Sequence, residues 1–139
     1  MNPNPYQSPF SGNDPPAATA AASGTPFILA GIGALAASLY WGALTLFIFV
    51  AVSAKAVSGF QLVLPLLLIV FYAVRAFQLF KRQRTAAKSV LWLHGVGGAF
   101  AVLQILSGNP VAVFLQAIKL VIHVYGAITA YLAYRSSAV

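Results

Sequence analysis

Four long runs of apolar residues dominate the chain, and each is bounded by polar or turn-forming residues. They predict helices at about residues 26–54, 60–80, 89–107 and 111–134. Crossing the hydrocarbon core of a bilayer takes about 20 apolar residues in a helix, and every run is long enough. The segments between the runs are short, so neighbouring helices should be antiparallel. The pattern predicts an all-α fold, a four-transmembrane-helix antiparallel bundle.

The first 25 residues differ sharply from the rest and contain most of the prolines. Proline removes amide donors, and the segment has too little apolar content to form a core. We therefore predict a disordered, Pro-rich cytoplasmic tail at 1–25 and a four-helix membrane domain at 26–139. The boundary is Thr25 followed by Pro26, a threonine N-cap before a proline at the first helical position.

Two alternatives affect the first and third runs. A cleaved signal peptide would need a basic first segment and a shorter apolar core, so it is disfavoured here, although residues 53–56 offer small residues for cleavage. The third run is the weakest, because it contains His94, Gln104 and three glycines. If it were re-entrant, the two termini would lie on opposite sides of the membrane.

Composition agrees with a membrane protein. Hydrophobic residues make up 60% of the chain and charged residues 6%, and the mean hydropathy is +0.87. A soluble domain carries about a quarter charged residues, so this chain could not cover a surface that faces water. The bilayer is its expected solvent.

Charge and cysteine usage exclude several kinds of chemistry. Asp14 is the single acidic residue and there is no cysteine, which removes paired-carboxylate catalysis, hard-cation sites, zinc–thiolate sites and thiol nucleophiles. Serines such as Ser38 and Ser89 have no acid–base partner at a recognisable spacing. We expect no enzyme activity and no metal site.

Basic residues predict the orientation. Five basic residues cluster around the segment between the second and third runs: Arg75, Lys81, Arg82, Arg84 and Lys88. We expect this cluster to contact anionic lipid headgroups. The simpler alternative is that it only sets the topology. Arg135 lies on the same side, whereas the opposite side has only Lys55. The positive-inside rule then places both termini in the cytoplasm. The basic residues are too few and too close to the membrane for nucleic-acid binding.

Small residues recur every four positions in the first run, at Ala30, Ala34, Ser38 and Gly42. Membrane helices associate where small residues let their backbones approach closely. This row is predicted to be a packing face, either inside the bundle or between copies in a homo-oligomer or a larger membrane complex.

The third and fourth runs carry a candidate intramembrane polar site. His94 and Gln104 share one side of the third helix with several glycines, and Gln116, Lys119 and His123 stack on one face of the fourth. A deep ionisable residue costs at least ~2.5–3.5 kcal/mol to insert, so it usually faces a bundle interior or a watery cavity. Without an acid nearby, Lys119 must be hydrated, deprotonated, or matched by a ligand, lipid or partner subunit. The simpler alternative has Lys119 extending towards the interface while His123 hydrogen-bonds to the third helix.

The segment Asn4–Pro9, NPYQSP, followed by a small multi-pass layout, resembles the opening of uncharacterised small multi-pass bacterial membrane proteins. The resemblance covers six residues and the layout. It implies a bacterial origin and an inner-membrane location, and it implies no activity, cofactor or site.

Three functions are compatible with these features. The favoured one is a small integral membrane protein that acts as a non-enzymatic accessory or structural subunit. The second is a small channel or carrier for an anionic or neutral solute, lined by Gln116, Lys119 and His123. The third is a b-type haem protein that uses His94 and His123 as ligands, although the two residues are offset in depth and core hydrogen-bonding histidines are the simpler interpretation. No cofactor is otherwise expected.

Overall fold

A computed structural model describes residues 24–56, 58–106 and 110–136, and it is helical almost throughout. The helices are α1 (Thr25–Ser53), α2 (Val63–Phe80), α3 (Arg84–Leu106) and α4 (Pro110–Ser136), with a short 3₁₀ turn at Gly59–Leu62 before α2. All four helical segments are long and apolar enough to cross a membrane, which confirms the predicted all-α class and the number of spans. The predicted tail lies outside the described residues except for Gly24 and Thr25.

The helices form two antiparallel hairpins, α1 with α2 and α3 with α4, joined by close packing of α1 against α4. In contrast, α2 and α3 make few contacts with each other, so the seam between them is the least tightly packed of the seams between neighbouring helices. The third span is a continuous helix of 23 residues, about 35 Å long at 1.5 Å per residue. This length favours a full crossing over the re-entrant alternative.

Helix boundaries differ from the prediction most at α3, which begins at Arg84 and not at residue 89. The reason is that Ala86 and Ala87 are fully buried, so the helix continues beyond the apolar run to pack them. The segment between α2 and α3 is correspondingly shorter, and Arg84 and Lys88 are helical. At the start of α1 the N-cap is Gly24, one residue before the predicted Thr25.

Both α1 and α2 end in a Schellman motif whose left-handed residue is basic. Lys55 has φ 58° and Arg82 has φ 57°. After α2, the Arg82 amide donates to Leu79 O at 2.8 Å and the Gln83 amide donates to Gln78 O at 3.0 Å. These bonds satisfy carbonyls that a helix end would otherwise leave unpaired. The chain then reverses within three residues and starts α3.

Small side chains fill the bundle interior, and large apolar ones face outward. Most of the buried hydrophobic residues are alanines, joined by a few larger side chains: Phe27, Ala30, Ala34, Ala37, Tyr72, Ala76, Leu79, Ala86, Ala87, Val90, Ala101, Ala130 and Ala133. Leu39 and Phe47, in contrast, are more than two-thirds exposed. Lipid tails are as apolar as leucine, so close backbone approach, and not burial of bulk, holds such helices together.

One end of the bundle gathers most of the basic residues. The Arg82 guanidinium lies against Gly24, and Arg84 lies over the Tyr134 ring at 4.7 Å from its centroid. The start of α1, the α2–α3 turn and the end of α4 are therefore at the same end. We call this the basic end.

Candidate intramembrane binding site

The centre of the site is a histidine pair that connects α3 to α4. His94 and His123 are 1% and 2% exposed, and their Nδ1 atoms are 2.9 Å apart. For this hydrogen bond, one Nδ1 must donate and the other must accept, so the accepting ring is neutral and carries its proton on Nε2. Both Nε2 atoms are buried and have no hydrogen-bond partner within the described part of the chain.

Each imidazole packs against a glycine of the opposite helix. A Cβ added to Gly97 on α3 would overlap the His123 ring, and one added to Gly126 on α4 would overlap the His94 ring. The Tyr72 ring of α2 covers His94 from another side, with the two centroids 5.0 Å apart. One glycine on each helix therefore makes room for the imidazole of the other helix in a tightly packed interior.

Lys119 lies one turn from His123 on the same face of α4 and is 7% exposed. Its Nζ is 5.2 Å from the centroid of the Trp41 ring, near the middle of α1. A cation over an indole face is stabilised by the ring quadrupole. The Trp41 Nε1 donor is itself buried and finds no acceptor among the described residues. No acidic side chain belongs to any of the four helices, because the single acid is Asp14.

A cleft of about 370 Å³ joins these groups and is lined by all four helices. Its polar side contains Trp41, Tyr72, Gln104, Lys119 and His123, and its apolar side contains Leu64, Leu68, Leu93, Val96, Gly97 and Phe100. Leu64, Val96 and Phe100 are 62%, 47% and 58% exposed. Since these three residues belong to α2 and α3, the cleft opens sideways along the α2–α3 seam. We call it the lateral cleft.

Four of the five residues predicted for the polar site come together in this region. Lys119, His123 and Gln104 line the lateral cleft, and His94 binds His123 at its inner end. Gln116 is not among the lining residues, and its Oε1 is buried without a hydrogen-bond partner in the described ranges. Sequence reasoning missed the roles of Trp41 and Tyr72. For Trp41 the sequence did contain a signal, because this residue lies too deep in its helix to act as an anchor at the membrane interface.

The histidine pair in this arrangement does not fit axial ligation of haem. A metal held between two imidazole nitrogens needs about 4 Å between them, because each metal–nitrogen bond is about 2 Å. The Nδ1 atoms are 2.9 Å apart and bonded to each other. The Nε2 atom of His123 packs against Gly97 and that of His94 against Gly126, so neither Nε2 faces a space that could hold an iron between the two rings.

The predicted packing row on α1 is used inside the bundle for most of its length. Ala30 and Ala34 are fully buried, and Ser38 Oγ donates to Ile69 O of α2 at 3.2 Å. A Cβ at Gly42 would meet nothing within 4 Å. The row therefore joins α1 to its neighbours as far as Ser38 and is open at Gly42.

The basic residues predicted to contact lipid all lie at or near the basic end. Lys81, Arg82, Arg84 and Lys88 are exposed, while Arg75 is half-buried. Arg75 donates to Gln78 Oε1 at 2.7 Å and lies over the Phe71 ring, and Lys81 lies over the Phe77 ring. These ring contacts hold the Arg75 and Lys81 cations close to the helix surface.

No protein-family model, curated protein or solved structure matches this chain. Its four helices are those of a small multi-pass integral membrane protein. Beyond that, the features that bear on function are the histidine pair, the buried Lys119 and the lateral cleft.

Proposed function

We propose that this chain is a non-enzymatic accessory protein of the membrane, and that it holds a small anionic or neutral ligand in the lateral cleft. The observation that carries the proposal is Lys119, a residue that is only 7% exposed inside a bundle whose helices contain no acid. A buried cation without a partner is strongly unfavourable, so such groups are paired or solvated. A bound anion or a polar ligand would supply the missing partner.

The conformation of Lys119 supports a role inside the bundle. An extending lysine would lay its stem along apolar surface and reach the interface with its amine. Instead, Nζ lies over Trp41, which is about 24 Å from the start of α1. The amine therefore points into the cleft region and not towards either end of the bundle.

The surroundings of the cleft support binding in preference to catalysis. The histidines are bonded to each other, and nearby hydroxyl groups are bonded to backbone: Thr129 Oγ1 donates to Tyr125 O at 2.9 Å, and Ser38 Oγ to Ile69 O. A nucleophile needs an adjacent base that is free to take its proton. Neither hydroxyl has such a base in the hydrogen bonds it makes.

The location is part of the same proposal. The cluster of cations at the basic end supports a cytoplasmic position for that end, and hence for both termini, by the positive-inside rule. The Asn4–Pro9 resemblance favours a bacterial inner membrane. Anionic headgroups on the cytoplasmic side would then be the lipid partners of the basic residues.

The proposal is tested by native mass spectrometry of the full-length protein taken directly from its membrane, as wild type, Lys119→Leu and Lys119→Arg. The wild type should carry a bound small molecule whose occupancy falls at least about tenfold in Lys119→Leu, a loss of about 1.4 kcal/mol of binding free energy. Lys119→Arg keeps the charge and should retain most of the ligand. Equal occupancy in wild type and Lys119→Leu would contradict the proposal.

A carrier is the second candidate, because Lys119, His123 and Gln104 line one continuous cleft. Its path towards the basic end is blocked in this conformation by the fully buried side chains of Tyr72, Leu79 and Val90. Transport would therefore require the helices to part. Solute flux into proteoliposomes that is abolished in Lys119→Leu would favour the carrier over a binding protein.

A further inference from the structure

We infer that the lateral cleft binds a single-chain amphiphile with a carboxylate head, a fatty acid, which enters sideways from the bilayer between α2 and α3. The inference rests on the proposed function, since it names the ligand class of the same site. It is drawn from four properties of the cleft: its charge, its hydrogen-bonding groups, its walls and its opening.

The charge at Lys119 selects the head group. The cleft contains one ammonium and no acidic side chain, so a head with a single negative charge would neutralise it. A carboxylate accepts hydrogen bonds through two oxygens. Trp41 and His123 also line the cleft, and their Nε1 and Nε2 atoms are buried without partners in the described ranges. Indole Nε1 is a donor, so the residues that line the cleft carry both an ammonium and a neutral N–H.

The walls of the cleft select the chain. Leucine, valine and phenylalanine side chains of α2 and α3 form its apolar side, and a hydrocarbon chain makes only apolar contacts with them. The volume of about 370 Å³ is near the lower end of the range of roughly 300–1,000 Å³ for ligand pockets. That size suits one hydrocarbon chain with a compact head better than a two-chain phospholipid with its glycerol group.

The opening of the cleft determines the route. Because α2 and α3 make few contacts and Leu64, Val96 and Phe100 are exposed, the cleft is accessible from lipid without unpacking a hairpin. Lys119 lies about 9 Å from Val113, near the end of α4 opposite the basic end, and about 26 Å from Ser136. A head at Lys119 would therefore lie inside the leaflet that is opposite the basic end. The chain would lie against Leu68 and leave the cleft between α2 and α3.

The direct test uses the full chain in nanodiscs of zwitterionic lipid and measures equilibrium binding of labelled palmitate. Hexadecanol provides the same chain with a neutral head. Palmitate should bind at least about tenfold more tightly than hexadecanol, and Lys119→Leu should weaken palmitate binding about 30-fold or more, as expected for removing one partner of a buried charge pair. Lys119→Arg should stay within a few-fold of wild type.

A second pair of variants tests the route without changing the charge. Val96→Trp fills the mouth of the cleft, whereas Val102→Trp places the same bulk at a comparably exposed position of α3 that does not line it. Palmitate binding should fall at least tenfold in Val96→Trp and should be unchanged in Val102→Trp. Equal binding by the two variants would exclude entry at this seam and overturn the inference.

The remaining outcomes separate this inference from the proposed function. Equal affinity for palmitate and hexadecanol would show an apolar groove without charge recognition, and effective competition by phosphatidylglycerol would identify a phospholipid site; either result overturns the fatty-acid assignment. If palmitate does not bind but the wild type extracted from its membrane carries another Lys119-dependent ligand, only the fatty-acid assignment fails. If no ligand of any mass depends on Lys119, both proposals fail.

Discussion

Individual residues in the interior show how a polar pair is accommodated in a membrane bundle. His94 and His123 bond to each other through Nδ1, and each ring occupies space that a glycine of the other helix leaves open. Polar side chains in membranes often hydrogen-bond across helices, at a gain of about 0.6 kcal/mol on average. A gain of that size cannot hold the pair alone. Its position depends on Gly97 and Gly126.

At the same scale, Gly97→Ala should destabilise the bundle, with Gly95→Ala as the matched control on the same helix. A Cβ at Gly97 would overlap the His123 ring, while one at Gly95 would meet nothing within 4 Å. Overpacking a filled interior typically costs about 1–3 kcal/mol. Thermal unfolding in detergent should show a clearly lower Tm for Gly97→Ala only. Indistinguishable Tm values for the two variants would contradict the described packing of His123.

At the scale of elements, the ends of the helices are determined by burial as much as by apolar runs. The α3 helix extends five residues before its apolar run because Ala86 and Ala87 pack in the interior, and the preceding Schellman motif turns the chain within three residues. The small-residue row on α1 likewise changes role along its length. It is buried at Ala30 and Ala34 and open at Gly42.

This change of role predicts different results for two similar substitutions in α1. Ala34→Leu should destabilise the folded monomer by about 1–3 kcal/mol, because the position is fully buried. Gly42→Leu should cost clearly less stability than Ala34→Leu, because a Cβ at Gly42 would meet nothing within 4 Å. Unfolding in detergent measures both effects. Size-exclusion chromatography of Gly42→Leu in mild detergent tests whether copies of the chain associate through Gly42. If the variant elutes as a smaller species than the wild type, a contact between copies lies at Gly42.

At the scale of the whole molecule, two tightly packed hairpins share one close contact and leave one seam less tightly packed. The basic residues are unevenly distributed between the two ends of the bundle. The start of α1, the α2–α3 turn and the end of α4 lie at the basic end, and Lys55 lies at the opposite end. The lateral cleft lies along the least tightly packed seam, between α2 and α3.

The orientation can be measured directly because the chain contains no cysteine. Single variants Ala56→Cys and Gln83→Cys place a thiol at exposed positions near opposite ends of the bundle. A membrane-impermeant maleimide added to intact spheroplasts should label Ala56→Cys and spare Gln83→Cys, which should react only after lysis. Labelling of Gln83→Cys in intact spheroplasts would reverse the proposed topology.

The fold class followed from the sequence because length and hydropathy alone decide whether a helix can span a bilayer. Within a single helix the face that each residue occupies also followed, because it depends on a fixed turn per residue. Lys119 and His123 were placed on one face for that reason. Their fourth-helix companion Gln116 was placed with them too, yet it does not line the cleft, since helical periodicity does not say where a cavity begins.

Four spans, a basic end and a cation within the fourth helix with no acid beside it can all be read from the residues along the chain. The packing of the helices shows in addition that His94 and His123 meet, that Lys119 lies over Trp41 and that α2 and α3 make few contacts. The two histidines were predicted to be offset in depth, and they lie within hydrogen-bonding distance. Contacts between helices depend on their tilt and relative displacement, and small residues permit many close packings that the pattern of one helix does not distinguish.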